Sequence, residues 1–254
     1  MMNDNISSVI GAPVFSAADA TNPPFPFPSP SPSAPPHSNN DTGKATIQVP
    51  ASAAASDEAL ITNLTRLVNS VYGEAEGSIY KAAFERTSAA QIEAHLRAGE
   101  LAVAFLRPTG DGDGDEDDDD EKIDCSRSSA LERSTPLRGR PVVGCVCIKK
   151  LSPTTGEFGM LAVDPTYRGA GLGRDLVRFA EERCRRDLGL AVMRLELLVP
   201  VHFEHVGKTR LQGWYTRLGY VTTELGDFGE AYPTLNALLA GPTEYRVFEK
   251  RLAE

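Results

Sequence analysis

A mixed α/β fold that combines an antiparallel hairpin with a parallel strand pair is what the sequence predicts, and three neighbouring stretches predict it. Pro141-Val-Val-Gly-Cys-Val-Cys-Ile-Lys149 is rich in β-branched residues, and Ser152-Pro-Thr-Thr-Gly156 follows as a turn into a second strand. That strand is apolar from Phe158 to Val163 and is stopped by Asp164-Pro165. Gly169, Gly171 and Gly173 come next, and an apolar spacing of helical period starts at Leu172. Ala191 to Val199 then alternates, with Met193, Leu195 and Leu197 on one face and Arg194 and Glu196 on the other. Strand, helix and strand with a short return form a parallel pair with a right-handed crossover.

The elements before this unit read as strand, helix, helix, strand. Ala45 to Val49 alternates and is closed by Pro50. Asp57 caps a helix with Leu60, Ile61, Leu64, Leu67, Val68 and Val71 on its apolar side, and Gly73 is its expected end. A second helix covers Ser88 to Ala98, with Ile92 and Leu96 one turn apart, and Gly99 stops it before a strand from Leu101 to Leu106. Beyond the glycines, Leu172, Leu176, Phe179, Ala180, Cys184 and Leu188 make an apolar stripe that Gly189 ends, while Glu181, Glu182, Arg185 and Arg186 cover the other side. Strands near residues 220–224 and 244–251 complete the sheet.

Two stretches have no such period. Residues 1–43 contain the tract Pro23 to Pro36, proline alternating with serine and phenylalanine, and are expected to be an extended, disordered tail. Between about 108 and 140 lies an acidic insert, with nine acidic residues from Asp111 to Glu121 in a chain whose net charge is -9. Such a block can steer a cationic substrate or partner toward the protein, or simply stay solvated, the commoner role. Residues 44–254 are then one domain. The basic patch that nucleic-acid binding requires is missing, and no apolar run approaches the roughly 20 residues of a membrane span. A transit peptide is rich in Arg, whereas residues 1–43 hold none, so the expected setting is the cytoplasm or the nucleus. Cys125, Cys145, Cys147 and Cys184 lack metal-ligand spacing and read as small core residues or bystanders. Nothing in the sequence sets an oligomeric state.

The glycine turn suits a phosphate, because the first N–H groups of a helix lack internal partners and the dipole adds positive charge there. A dinucleotide fingerprint would need glycine where Arg174 stands, and the Gly-Lys-Ser/Thr of a P-loop is absent. What remains, Arg168-Gly-Ala-Gly171-Leu-Gly173 behind Ala162-Val-Asp-Pro165, resembles the acetyl-CoA motif of the GNAT-type N-acetyltransferase superfamily. That motif is Gln/Arg-x-x-Gly-x-Gly/Ala after a strand ending Ala-Val-x-Pro. A second patch, Lys208 to Tyr220, resembles the superfamily's Asn-x-x-Ala-x-x-Leu/Phe-Tyr-x-x-x-Gly-Phe/Tyr block, with Tyr215 at the tyrosine. Lys208 and Leu211 replace its usual asparagine and alanine.

The resemblance implies the acyl-CoA N-acyltransferase fold, a mostly antiparallel sheet flanked by helices, with the parallel pair at the coenzyme. It also implies direct acetyl transfer from acetyl-CoA, as co-substrate and without a metal, to a primary amine. Leu161, Ala162 and Val163 would hold the pantetheine arm by their backbone. The amides of Arg168, Gly169, Ala170, Gly171, Leu172 and Gly173 would hold the pyrophosphate, and Lys208 could approach a phosphate. An alkyl amine of pKa about 10.4 is only about one part in a thousand neutral at pH 7, so a base is needed. Glu157 stands eleven residues before Arg168, a spacing that resembles the catalytic glutamate of histone-type members, and shares strand parity with Leu161. Glu196, His202 and His205 are its rivals. Tyr215 is the acid for the departing thiolate. The acceptor can be a small amine, a polyamine or a peptide amine, and a catalytically weak acyl-CoA-binding regulatory module is the other reading of the same motifs.

Overall fold

The computed structural model describes residues 45–81, 85–106 and 139–252. The expected tail, Cys125 and the acidic insert up to residue 138 lie outside the described residues. One seven-stranded sheet organises the protein, in the order β1-β2-β3-β4-β5-β7-β6. Its strands are β1 (Thr46–Gln48), β2 (Leu101–Phe105), β3 (Val142–Lys150), β4 (Thr155–Val163), β5 (Val192–Pro200), β6 (Val221–Asp227) and β7 (Thr243–Arg251). Every neighbouring pair is antiparallel except β4 and β5. The expected mixed α/β architecture with one parallel pair is therefore what the chain adopts. No helix among the described residues is long and apolar enough to cross a membrane.

Helices cover both faces. On one side, α1 (Glu58–Glu76) and α2 (Ala89–Ala98) bury Leu64, Val68, Ile92 and Leu96 against Leu101, Val103, Cys145 and Cys147. On the other, α3 (Leu172–Arg186) sets Leu176, Val177, Ala180 and Cys184 against Phe158, Met193 and Leu195. The Asp57 cap and the Gly99 stop are those the sequence announces, and Ser88, expected as the first residue of α2, proves to be its cap. Asp57 accepts a hydrogen bond from the Leu60 amide at 3.1 Å, Ser88 and Gln91 form a reciprocal capping box, and Gly99 takes the left-handed φ of 67° that closes α2. Gly73 is a correction, since α1 continues through it to Glu76. A glycine stops a helix by entering the left-handed region, and in a helix interior it costs only about 1 kcal/mol, which the buried stripe from Leu60 to Val71 offsets.

The parallel contact is short. Thr155, Gly156 and Glu157 pair with Val192, Met193 and Arg194, after which the strands part. β5 instead pairs with β7 along its whole length, from Val192↔Arg251 to Pro200↔Thr243. In β4 the register against β3 slips: Cys147 faces Gly159 but Cys145 faces Ala162, so β4 carries an extra residue. The bulge sits at Met160, whose φ of 49° is left-handed. It overturns the expected parity of Glu157 and Leu161. Phe158, Leu161 and Val163 pack toward α3, whereas Met160 and Ala162 pack toward α1. Cys145 and Cys147 share the α1 side as the sequence implied, and burial pushes both thiols up to about 12.

Gly156 is needed where α3 lies on β4. A Cβ there would stand 2.6 Å from Cys184 Sγ and 3.0 Å from Leu190 Cδ1. Gly156→Ala is expected to lower stability by about 1–3 kcal/mol through overpacking, and Cys184→Ala in the same chain to recover much of it, as chemical denaturation would read.

Candidate active site

Where β4 and β5 separate, a groove of about 930 Å³ opens, within the range of small-molecule sites. Its walls run from Arg168 and Val163, next to α3, past Leu161 and Tyr215, to Tyr80, Phe228 and Tyr245 at the far end. Tyr245 belongs to β7, and Phe228 to a segment the sequence left unassigned: the short helices α5 (Phe228–Ala231) and α6 (Pro233–Asn236) between β6 and β7. Asp227 caps α5 by accepting from the Gly229 and Glu230 amides. Helices of four residues carry no readable period.

Of the residues expected to hold the coenzyme, those from Gly169 to Gly173 are not among the groove walls, although they follow directly on Arg168, which is. Asp164 accepts from the Thr166 amide at 2.9 Å and turns the chain out of β4. Gly169 and Gly171 then take φ of 85° and 91°, which only glycine reaches without strain. Gly171 stands at the start of α3, which has no side-chain cap. A Cβ on Gly173 would point between Val163 and Trp214, at 3.8 and 3.9 Å, both of them groove walls. Leu161, Val163, Arg168, Glu157, Tyr215 and Lys208 line the groove; the side chains of Ala162 and Leu172 are buried in the two cores instead. The Arg168 guanidinium is held by Glu74 through bonds of 2.9 and 3.0 Å.

Lys208 opens α4 (Val206–Arg217), where the His205 ring accepts from its amide at Nδ1. Its ammonium is buried in an ion pair with Glu76, at the end of α1. The charge expected to reach a phosphate is thus already met by a carboxylate. His202 Nδ1 lies 3.3 Å from the Pro242 carbonyl, away from the groove walls.

Glu157 and Arg194, the last pair of the parallel contact, sit at the apex of the opening. The Glu157 Oε2 and Arg194 Nε atoms lie 3.6 Å apart, too far for a hydrogen bond, and both are buried without a hydrogen-bond partner. Burial pushes the Glu157 carboxyl up to about 8, helped by the neighbouring Glu196 charge and opposed by Arg194, Lys149 and Arg86. Glu196 is differently placed. It accepts from Arg194 at 2.6 Å, Tyr232 at 3.0 Å and Tyr245 at 3.2 Å. Burial, then Glu196, pushes the Tyr245 phenol up to about 12. Tyr215 packs against Trp214 and Phe158 at 5.0 and 6.0 Å, and its burial raises the phenol above the usual tyrosine value. Glu76, Tyr80, Phe228, Tyr232 and Tyr245 escaped the sequence reading. Only the Arg194-Leu-Glu196 alternation signalled a charged strand face.

Residues 133–222 match the family described as Acetyltransferase (GNAT) domain. Over that stretch the chain is similar to GNAT acetyltransferase domains. The matched stretch spans β3, β4, α3, β5 and α4, the elements that frame the groove. Similar solved structures include yncA from Salmonella typhimurium with its cofactor acetyl-CoA, 15% identical at a TM-score of 0.49, covering 83% of this chain and 95% of that one. Rv2747 from Mycobacterium tuberculosis in complex with CoA is 17% identical at 0.46, covering 82% and 99%. The ribosomal-protein-S18-alanine N-acetyltransferase from Escherichia coli is 14% identical at 0.47, covering 83% and 96%. No curated protein sequence matches the chain.

Two outcomes follow for the charged pairs of this groove. Because the folded state holds the Glu157 proton more tightly than the unfolded chain does, stability is lost as pH rises from about 4.5 to about 8. The Tm advantage of Glu157→Gln over the parent should therefore grow across that window and level off above it. Lys208→Met should destabilise by about 3–5 kcal/mol, the cost of leaving a buried carboxylate unpaired, and adding Glu76→Gln should restore most of it.

Proposed function

We propose that this domain moves the acetyl group of acetyl-CoA directly to a primary amine bound in the groove, with Glu157 as general base and Tyr215 as general acid. The observation that carries this reading is the parting of β4 from β5 beyond Glu157↔Arg194. It leaves strand backbone without a ladder partner beside a helix start that has no side-chain cap. Those are oriented polar groups in need of a ligand, and they suit the two ends of an acyl-coenzyme: an amide-bearing arm along a strand and a diphosphate at a helix start.

In this reading the backbone of Leu161, Ala162 and Val163 holds the pantetheine arm, and the amides from Arg168 to Gly173 take the diphosphate. The positive φ of Gly169 and Gly171 aims those amides, and Gly173 leaves room for the ligand. Acetyl-CoA supplies the activated acyl group. The Leu161 amide faces the oxygen on which negative charge develops, where one oriented donor is worth about 3 kcal/mol. Glu157 receives the amine's proton at Oε2, an acceptor with no other hydrogen-bond partner. Its raised carboxyl, at about 8, is matched to work near neutral pH. Tyr215 delivers a proton to the sulfur as it leaves. No acyl-cysteine is required, and burial keeps Cys145 and Cys147 as thiols.

Thiol release from acetyl-CoA in the presence of amines tests the reading. Glu157→Gln is expected to lower kcat/KM about 10²- to 10⁴-fold and to remove a limb near pH 8 from its pH profile. Tyr215→Phe should lower kcat and leave the calorimetric Kd for acetyl-CoA in place. Gly173→Ala should raise that Kd while Tm holds or rises, since alanine is the better helix residue. Coenzyme binding with no thiol release from any amine would make the domain a binding module instead.

A further inference from the structure

The far end of the groove is closed over by two chain segments joined to each other. After α1, Ile79 to Lys81 pairs antiparallel with the stretch between α6 and β7, through a bridge of Tyr80 with Leu239. The Lys81 amide donates to the Leu238 carbonyl and the Ala240 amide to the Ile79 carbonyl, each at 2.8 Å. The Lys81 ammonium adds a bond of 2.9 Å to the Ala237 carbonyl. Beneath this join Ile79, Leu239, Phe228, Tyr245 and Val247 are buried together. The backbone groups of both segments are thereby spent on one another. An extended polypeptide binds such loops by adding a strand to a free edge, and here the edge is taken. Behind the join, β7 is paired on both sides, with β5 and with β6.

The charges of the groove narrow the acceptor further. Among the described residues four glutamates line it: Glu74, Glu76, Glu157 and Glu196. Glu74 is bound by Arg168, Glu76 by Lys208, and Glu196 by Arg194, Tyr232 and Tyr245. Of these four described glutamates, Glu157 alone keeps a buried oxygen without a hydrogen-bond partner, and its residue is more than nine-tenths buried. One carboxylate oxygen serves one ammonium. A second cationic centre on the same molecule would be desolvated among Tyr80, Phe228, Leu198 and Tyr245 with no unpaired carboxylate among the described residues to meet it.

We propose that the acceptor is a compact primary monoamine with an apolar body, its nitrogen at Glu157 and its body against Tyr80, Phe228 and Tyr245, and that the joined segments exclude polypeptide amines. This rests on the acetyltransferase reading above and deepens it.

The experiment measures kcat/KM by thiol release, on the full chain with acetyl-CoA, for 2-phenylethylamine, spermidine and a ten-residue peptide with a free amino terminus and one lysine. Calorimetric Kd values for the same three compounds are taken in the presence of coenzyme A. The expected result is a preference for 2-phenylethylamine of at least a hundredfold over the peptide and tenfold over spermidine, with its binding weakened at least tenfold by Glu157→Gln. Equal or better turnover of the peptide or of spermidine overturns the proposal while leaving the acetyltransferase reading standing. Selective binding of the monoamine without turnover of any amine upholds the acceptor class and removes the catalytic reading. Absence of both binding and turnover for all three removes both. Leu239→Ala, with Tm as its folding control, should shift the turnover ratio toward the peptide at least tenfold; if it does not fold, Lys81→Ala, which removes a single tie, should shift the ratio in the same direction. An unchanged ratio in a folded variant counts against the joined segments as the excluding element.

Discussion

The parallel contact between β4 and β5 lasts from Thr155↔Val192 to Glu157↔Arg194, and the groove follows from where it ends. Each strand is held on its other side, β4 by β3 and β5 by β7, so neither can move to close the gap. The bulge at Met160 then turns the upper half of β4 over, sending Leu161 and Val163 toward α3 and exposing a length of backbone to the opening. A flat, fully paired sheet would have had no such opening. The left-handed φ at Met160 costs on the order of 1–3 kcal/mol, a local strain of the kind found where function needs a re-aimed strand.

The same geometry sets the electrostatics. The last pair before the strands part consists of two charged residues, Glu157 and Arg194, so both lie at the apex with cores on either side. Arg194 leans to Glu196, at 2.6 Å, and leaves Glu157 half-met at 3.6 Å. Desolvation without full compensation is what raises the Glu157 carboxyl. Glu74, Glu76 and Glu196, by contrast, are each held by a cation, and Glu196 by two phenols besides. Among the described glutamates of the groove, the carboxylate oxygen left unmet is thus Glu157 Oε2, on the same strand whose backbone lines the path to α3.

Local patterns in the chain carried far. The cap at Asp57, the start of α2 at Ser88, the left-handed Gly99, the hairpin from β3 to β4 and the crossover through α3 were all legible, because each depends on residues within a few positions of one another. Gly73 misled because a glycine's effect depends on the φ it takes, and packing of the rest of α1 kept that φ helical. The parity of Glu157 with Leu161 misled because a bulge adds one residue with no mark in the sequence. The phenol partners of Glu196, Tyr245 from β7 and Tyr232 at the end of α5, and the Glu76–Lys208 pair are separated by 36 to 132 positions. No local pattern joins residues so far apart.

By itself, then, the amino-acid sequence determined the order of strands and helices, the glycine turn before α3 and the family likeness that rests on it, since these follow from short-range backbone preferences and fixed spacings. Only the tertiary structure decided which carboxylate is left unmet and how the far end of the groove is closed. Both depend on desolvation and on contacts between distant segments, Glu157 against Arg194 and Tyr80 against Leu239, which exist only once the sheet has brought them together.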